Sequence, residues 1–164
     1  MKILMVCLGN ICRSPLAEGI LQEKVREAGL SWTVDSAGTN GFHNGEEPHR
    51  LSQKVALEHG IDISRQISRQ LKASDFENFD IIYALAIDVK YDMKRVVRNA
   101  FQEEKVILLM DEVYPGQNMD VPDPWSGPLS GYHEAYDLID KACDAIIAKY
   151  QTKTRNSQPI TRNS

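Results

Sequence analysis

At 164 residues and 18.5 kDa the chain suits one domain, long enough to bury ~70% of the surface that its unfolded form would expose. A formal charge of -4 and a pI near 5.6 supply no basic face of the kind that nucleic acid or anionic membranes require, so no nucleic-acid or membrane partner is expected. Three cysteines are an odd number in a chain that needs no staples, and they are expected as reduced thiols. The apolar start MKILMVCLG carries no small-residue cleavage site and is too short to cross a bilayer, so a cytoplasmic location is expected.

The elements alternate along the chain. Lys2 to Leu8 is a near-continuous apolar run and reads as a parallel strand buried on both faces. Ser14 and Pro15 then open a helix whose Ala17, Ile20, Leu21, Val25 and Ala28 share one face before Gly29 stops it. WTVDSAG from Trp32 to Gly38 is a second strand. A loop rich in Gly, Asn and Glu runs to Pro48, and a helix carrying Leu51, Val55 and Ala56 ends at Gly60. FDIIYAL from Phe79 and KVILLM from Lys105 are two further apolar runs, separated by an amphipathic stretch with Val89, Met93, Val96 and Val97. The last element, GYHEAYDLIDKACDAIIAKY, places Leu138, Ile139, Ala142, Ala145 and Ile146 on one side of a closing helix. The expected fold is α/β: a four-stranded parallel sheet flanked by helices on both faces, a Rossmann-like three-layer sandwich. One domain over 1–150 is expected, with a polar, disordered tail over 151–164. The doublet ISRQISRQ (63–70) is too short for a repeat architecture, and no functional weight falls on it.

The chemistry concentrates in VCLGNICRSPLAEG, between the first strand and the first helix. A loop in that place presents unpaired backbone N–H groups at the positive end of a helix, a ready anion site. Gly9 and Asn10 tolerate the left-handed conformations such a cradle needs. Leu8, Ile11 and Cys12 complete its rim, and Arg13 closes it with a planar fork that matches two phosphoryl oxygens at once. Cys7 lies at the bottom, where the amides, Arg13 and the Ser14 hydroxyl favour thiolate over thiol. A cysteine ending a buried strand is, taken alone, most often a small core hydrophobe. The arginine, the Gly/Asn loop and the Ser-Pro helix start point instead to a nucleophile. Zinc at Cys7 and Cys12 would need two more ligands, and His43, His49, His59 and His133 show no paired spacing, so no metal is expected. The nucleotide and dinucleotide glycine loops are absent, so no cofactor is expected either. A thiolate that attacks phosphorus needs an acid for the leaving group. Asp123 in DVPDPWSGP, a proline-stiffened loop after the fourth strand, is the candidate, against its plain reading as a turn aspartate before proline.

These segments, together with VDSAGT, GIDISRQISRQL, FENFD and the YDLID of the closing helix, resemble the low-molecular-weight protein tyrosine phosphatases over nearly the whole chain. The resemblance implies the phosphotyrosine phosphatase I-like fold, with Cys7 as nucleophile, Arg13 as phosphate clamp, Ser14 as thiolate stabiliser and Asp123 as acid and then base. It also implies that Asn10 and Ser36 hold the loop in shape, that Cys12 pairs with Cys7 under oxidation, and that Phe42 and Trp125 flank the substrate. A phosphotyrosine protein is the implied substrate, a tyrosine kinase among the candidates, with inorganic phosphate as product. Gln66 stands where relatives commonly have a histidine, and Leu85-Ala86 where many read Met-Asp, so an altered supporting network is expected. Arsenate reductases share the fold but relay a disulfide through later cysteines, of which this chain has only Cys143. Protein arginine phosphatases of the family carry threonine at the position of Ile11. A non-catalytic phosphopeptide-binding module is the rival outside enzymes.

Overall fold

The computed structural model describes residues 1–156, with side chains described through Thr152. Strands β1 (Lys2–Cys7), β2 (Thr33–Gly38), β3 (Ile81–Ala84) and β4 (Val106–Leu108) form one parallel sheet in the order β2-β1-β3-β4. Helices α1 (Arg13–Glu27), α2 (Arg50–Glu58), the single turn α3 (Asp75–Asn78), α4 (Ile87–Val97) and α5 (Leu129–Asn156) connect and cover it. The expected four-stranded α/β architecture is the one found.

Alternation along β1 divides the core. Ile3, Met5 and Cys7 join Leu16, Ile20, Ile139 and Ile146 of α1 and α5 in one cluster, while Leu4 and Val6 join Phe76, Val89 and Met93 on the other face. Both faces of the strand are therefore apolar, which is why it reads as an unbroken run instead of an alternating one. Gly29 ends α1 at φ +66, where a side chain would be strained, and the Leu30 N–H closes onto the Val25 carbonyl. Gly60 ends α2 in the same way at φ +76.

The connectivity decides where chemistry can occur. The chain leaves β1 to form β2 on one side, then crosses to form β3 on the other, so the connections diverge at the carboxyl end of β1. Such a switch point leaves a crevice that neighbouring strands do not fill. Cys7 is the last residue of β1, paired with Gly38 at the end of β2.

Two expectations need correction. The closing helix α5 begins at Leu129 and continues to Asn156, beyond the boundary set at Tyr150. No glycine or proline intervenes before Pro159, and adding residues to an existing helix costs far less than starting one; the rest of that tail, 157–164, lies outside the described residues. On α4, Val89, Met93 and Val97 are buried but Val96 is 37% exposed, so it lies at the edge of the apolar stripe and not within it. Among the described residues no helix is long and apolar enough to cross a membrane.

Met93→Ala is expected to lower the unfolding free energy by ~2–5 kcal/mol through a core cavity, whereas Val96→Ala should stay within about 0.5 kcal/mol. Urea denaturation followed by circular dichroism checks both, and equal losses would contradict the placement of α4.

Candidate active site

The loop from Cys7 to Arg13 is turned inside out by its surroundings. The carbonyl of Cys7 accepts from the Thr39 N–H, that of Leu8 from the Asn40 N–H, and that of Ile11 from the His49 N–H, at 3.0, 3.0 and 2.8 Å. Ser68 Oγ donates to the Gly9 carbonyl at 3.0 Å and Ser52 Oγ to that of Cys12 at 3.1 Å. A trans peptide directs its N–H opposite to its C=O. Pinning these five carbonyls outward therefore aims the N–H groups of Leu8, Gly9, Asn10, Cys12 and Arg13 into the concavity, the arrangement an anion requires. Asn10 makes the bend at φ +57. Gly38 permits the close approach: a Cβ there would sit 2.8 Å from the Leu8 carbonyl oxygen and 3.0 Å from the Asn10 nitrogen.

Side chains under the loop form a directed relay. The Arg69 N–H donates to Asn10 Oδ1 at 3.1 Å, which turns the Asn10 amino group toward two serines. Asn10 Nδ2 donates to Ser14 Oγ at 2.7 Å and to Ser36 Oγ at 3.0 Å, using both of its hydrogens. Ser14, accepting there, has its own proton free for Cys7 Sγ at 2.9 Å. A hydroxyl donor aimed at sulfur favours the thiolate. Asn10, Ser14 and Ser36 are all buried, so little water competes.

Arg13 and Asp123 arrive by a second route. The Leu85 N–H donates to the Val6 carbonyl, the Val121 N–H to the Leu85 carbonyl, and Arg13 Nη1 to the Val121 carbonyl, each at 2.9–3.0 Å. The loop bearing Asp123 thus hangs from the end of the sheet and holds the arginine in turn. Asp123 Oδ1 accepts the Trp125 N–H at 3.1 Å, and Oδ2 lies 3.7 Å from Arg13 Nη2. Leu85-Ala86 does not open a gap here: Ala86 offers no cap to α4, and Asp120 supplies one, accepting the Ile87 N–H at 2.8 Å.

The concavity is about 240 Å³, with Cys7, Gly9, Ile11 and Arg13 at its base and Phe42, His43, Asp123 and Trp125 at its mouth. Phe42 is 87% exposed and Trp125 49%. Trp125 is steadied by His43 and His49, at ring-centre distances of 5.5 and 5.7 Å, and His49 stacks on Tyr132 at 5.3 Å. His43 is itself bonded to Glu46, while His49 Nδ1 caps α2 by accepting the Leu51 N–H. Burial, then the charge of Arg50, pushes the His49 pKa down, which keeps that nitrogen free to accept. Cys12 Sγ faces Tyr132 Oη at 3.7 Å, and burial pushes its thiol up to about 12. Cys143 is fully buried in α5.

The structure brings all the sequence-predicted site residues to one end of the sheet, with Ser36 behind the loop. The doublet 63–70 is a correction. Its second half carries the Ser68 and Arg69 bonds above, the Gly38 to Gln70 bridge, and an Arg69 fork onto Asp35 and Asp75. Gln66 donates to the Pro15 carbonyl at 3.1 Å, and its Oε1 is buried with no hydrogen-bond partner among the described residues. Sequence reasoning missed Glu18, which accepts the Ser36 hydroxyl at 2.9 Å. An acid one turn beyond Ser14, beside Ala17 and Leu21 on the buried stripe of α1, is the signal that could have found it.

Comparison with known proteins agrees with this geometry. Residues 2–156 match the family described as low molecular weight phosphotyrosine protein phosphatase. A low molecular weight protein-tyrosine-phosphatase of Streptomyces coelicolor is 34% identical over 151 residues, covering 90% of this chain and 92% of that protein. The crystal structure of a protein tyrosine phosphatase from Entamoeba histolytica superposes with a TM-score of 0.85 at 34% identity, over 94% of this chain and 99% of that one. That of Vibrio vulnificus Wzb in complex with benzylphosphonate does so with a TM-score of 0.81 at 30% identity, over 90% and 97%. By sequence over nearly the whole chain and by fold, this chain belongs to the low molecular weight phosphotyrosine protein phosphatase family.

Proposed function

We propose that the protein hydrolyses phosphotyrosine in proteins through a cysteinyl-phosphate intermediate. The observation that carries this reading is the convergence of three groups on one anion cradle: the Cys7 sulfur under the Ser14 proton, the Arg13 fork, and the Asp123 carboxyl at the mouth. The phosphoryl dianion sits against the inward N–H groups with Arg13 on two of its oxygens. Cys7 attacks phosphorus in line, the bond to the phenol oxygen breaks, and Asp123 gives that oxygen its proton. Water then attacks the thiophosphate, Asp123 takes a proton from it, the S–P bond breaks, and phosphate leaves with Cys7 again a thiolate. Charge in the loose transition state spreads over the equatorial oxygens, so the preset N–H groups and Arg13 supply most of the acceleration.

The mouth favours an aryl ester. Phe42 and Trp125 both line the opening, and their rings suit a flat phenyl group and offer little to a short alkyl phosphate. The benzylphosphonate in the Vibrio vulnificus protein is a phenyl ring joined through one methylene to a phosphorus oxyanion, and a ring one atom from phosphorus fits here as well. Ile11, 7% exposed, gives the cradle an apolar wall, which favours the phosphotyrosine branch over phosphoarginine. Arsenate reduction has no visible relay, since Cys143 is fully enclosed. A module that only bound phosphopeptides would have no use for the pairing of Cys7 with Asp123. For Cys12 we propose the role of partner to an oxidised Cys7, its thiol condensing with the sulfenic acid to release water.

Cys7→Ser is expected to abolish turnover of phosphotyrosine peptides, and ordinary activity in that variant would overturn the assignment. One purified sample should release phosphate from phosphotyrosine far faster than from phosphoarginine and should not reduce arsenate; the opposite ranking would reassign the branch.

Asp123→Asn should lower kcat/KM for phosphotyrosine by about 10²–10⁴-fold, the usual worth of a positioned acid. With p-nitrophenyl phosphate the loss in kcat/KM should be smaller, because nitrophenolate departs without protonation. Equal losses on the two substrates would remove Asp123 from the acid role.

A further inference from the structure

The relay beneath the loop ends on a group that the reaction above does not use. Glu18 is 7% exposed and takes the Ser36 proton on Oε1 at 2.9 Å. Two charged groups face it: Asp35 of β2, whose carboxyl also hydrogen-bonds it, and Arg69 of the segment 61–72. That arginine is already committed, forked onto Asp35 Oδ2 at 3.0 and 3.3 Å and onto the two oxygens of Asp75 at 3.0 and 3.1 Å. One cation thus serves two carboxylates, and a third buried anion beside them would have no counter-charge. Gln66, from the same segment, brings an amide whose Nε2 is bound to the Pro15 carbonyl. Two carboxyl groups in hydrogen-bond contact do not readily ionise together, and the less solvated one keeps the proton.

We propose that Glu18 is held as a neutral acid and serves as a positioning residue that fixes the direction of the hydroxyl relay onto Cys7. The proposal rests on the thiolate mechanism above. The Glu18 O–H donates to the Asp35 carboxylate while Oε1 goes on accepting from Ser36. Ser36, its proton engaged, offers Asn10 a lone pair; Asn10 keeps its second hydrogen for Ser14, and Ser14 keeps its proton for sulfur. An ionised Glu18 would place a buried negative charge behind the thiolate and the bound dianion, where low polarisability leaves it poorly screened. Burial, opposed by the Ser36 hydrogen bond and reinforced by Asp35, pushes the Glu18 pKa up to about 8. The sign of the pH dependence follows. A carboxyl whose folded pKa lies above its unfolded value of ~4.3 contributes stability that is fully present below the unfolded pKa and is lost as pH rises toward the folded one.

The test compares the wild type with Glu18→Gln and Glu18→Ala. The rate of Cys7 alkylation by iodoacetamide, kcat/KM for p-nitrophenyl phosphate and Tm are followed from pH 5 to 9. Glutamine reproduces the neutral acid, an oxygen for Ser36 and an N–H for Asp35. Glu18→Gln should therefore stay within about threefold of the wild type below pH 7, an effect smaller than one lost hydrogen bond. It should also lack the alkaline inflection near pH 8 and lose less Tm between pH 5 and 8. Glu18→Ala should move the alkylation profile to higher pH and lower kcat by about tenfold, the loss expected of one buried hydrogen bond.

A Glu18→Gln variant as impaired as Glu18→Ala would show that Glu18 acts as an anion and overturn the proposal. Unchanged alkylation profiles in both variants would overturn the positioning role, as would a wild type whose inflection Glu18→Gln does not remove. Should Glu18→Ala fail to fold, the Glu18→Gln profiles decide alone. Alkylation reads the thiolate without any phosphate ester, so failure of the phosphatase reading would leave these profiles intact and be told apart.

Discussion

A single backbone hydrogen bond, from the Arg69 N–H to Asn10 Oδ1 at 3.1 Å, sets the polarity of everything beneath the anion cradle. A primary amide could face the serines with either end. With the oxygen satisfied from behind, the amino group must face Ser14 and Ser36, and two hydroxyls that could each point either way are left with one proton direction apiece. The Ser14 proton lands on sulfur and the Ser36 proton on Glu18. Reversing the Asn10 amide would place its oxygen against the serines, draw the Ser14 proton away from Cys7 and leave a buried N–H facing an N–H. Segment 63–70 therefore belongs to the site as much as the loop it supports, although its side chains stay outside the pocket lining.

The large features were legible in the sequence because each rests on a local signal. Apolar runs fix strands buried on two faces, Gly29 and Gly60 mark helix ends, and alternation of strands with helices compels parallel crossovers. The loop after β1 was legible for the same reason: cysteine, bending residues, arginine and helix start lie within eight positions, Cys7 to Ser14. What escaped was non-local. Arg69 and Ser68 act through a segment with no periodicity, and nothing in ISRQISRQ indicates that its second half closes on β2 while Ile67 stays 70% exposed. Asp120 capping α4 in place of Ala86 joins residues that are far apart in the chain. Single-turn α3, which presents Asp75 to Arg69, is too short to leave a pattern. Glu18 was hidden by its type: a glutamate on a helix is read as solvated, and only its place on the apolar stripe argues otherwise.

Those replacements show how the supporting network bears substitution. Its requirement is for a donor or an acceptor at a place, not for a residue type at a sequence position. Where Ala86 offers no side-chain cap, Asp120 from the loop bearing Asp123 accepts the Ile87 N–H, and that bond ties the loop to α4. Gln66 brings an amide and no charge to the rear of the site, so neutrality there rests on Arg69 and on the carboxyl groups themselves. Arg69 is forked onto Asp35 and Asp75, Glu18 lies beside them without a cation of its own, and charge balance then decides which acid keeps a proton.

The sheet end does the remaining alignment. Val6 holds Leu85, Leu85 holds Val121, and Val121 holds Arg13, so the loop bearing Asp123 is placed by the ladder that places Cys7, Cys7 being the residue after Val6 and Asp123 two after Val121. In the mechanism we propose, attack and protonation occur on opposite sides of one phosphorus atom, and a displacement of either partner alone would cost the in-line geometry. Hanging both from a single set of backbone hydrogen bonds means that a shift of the strand end moves them together. Arg13 gains from the same arrangement. Its guanidinium is held over the cradle by the Val121 carbonyl before any phosphate arrives, so a substrate meets a donor whose side-chain freedom is already restricted. The carbonyl is a neutral acceptor and a phosphoryl oxygen a charged one, so the incoming anion outbids it for the second edge of the fork without having to draw the arginine out of solvent.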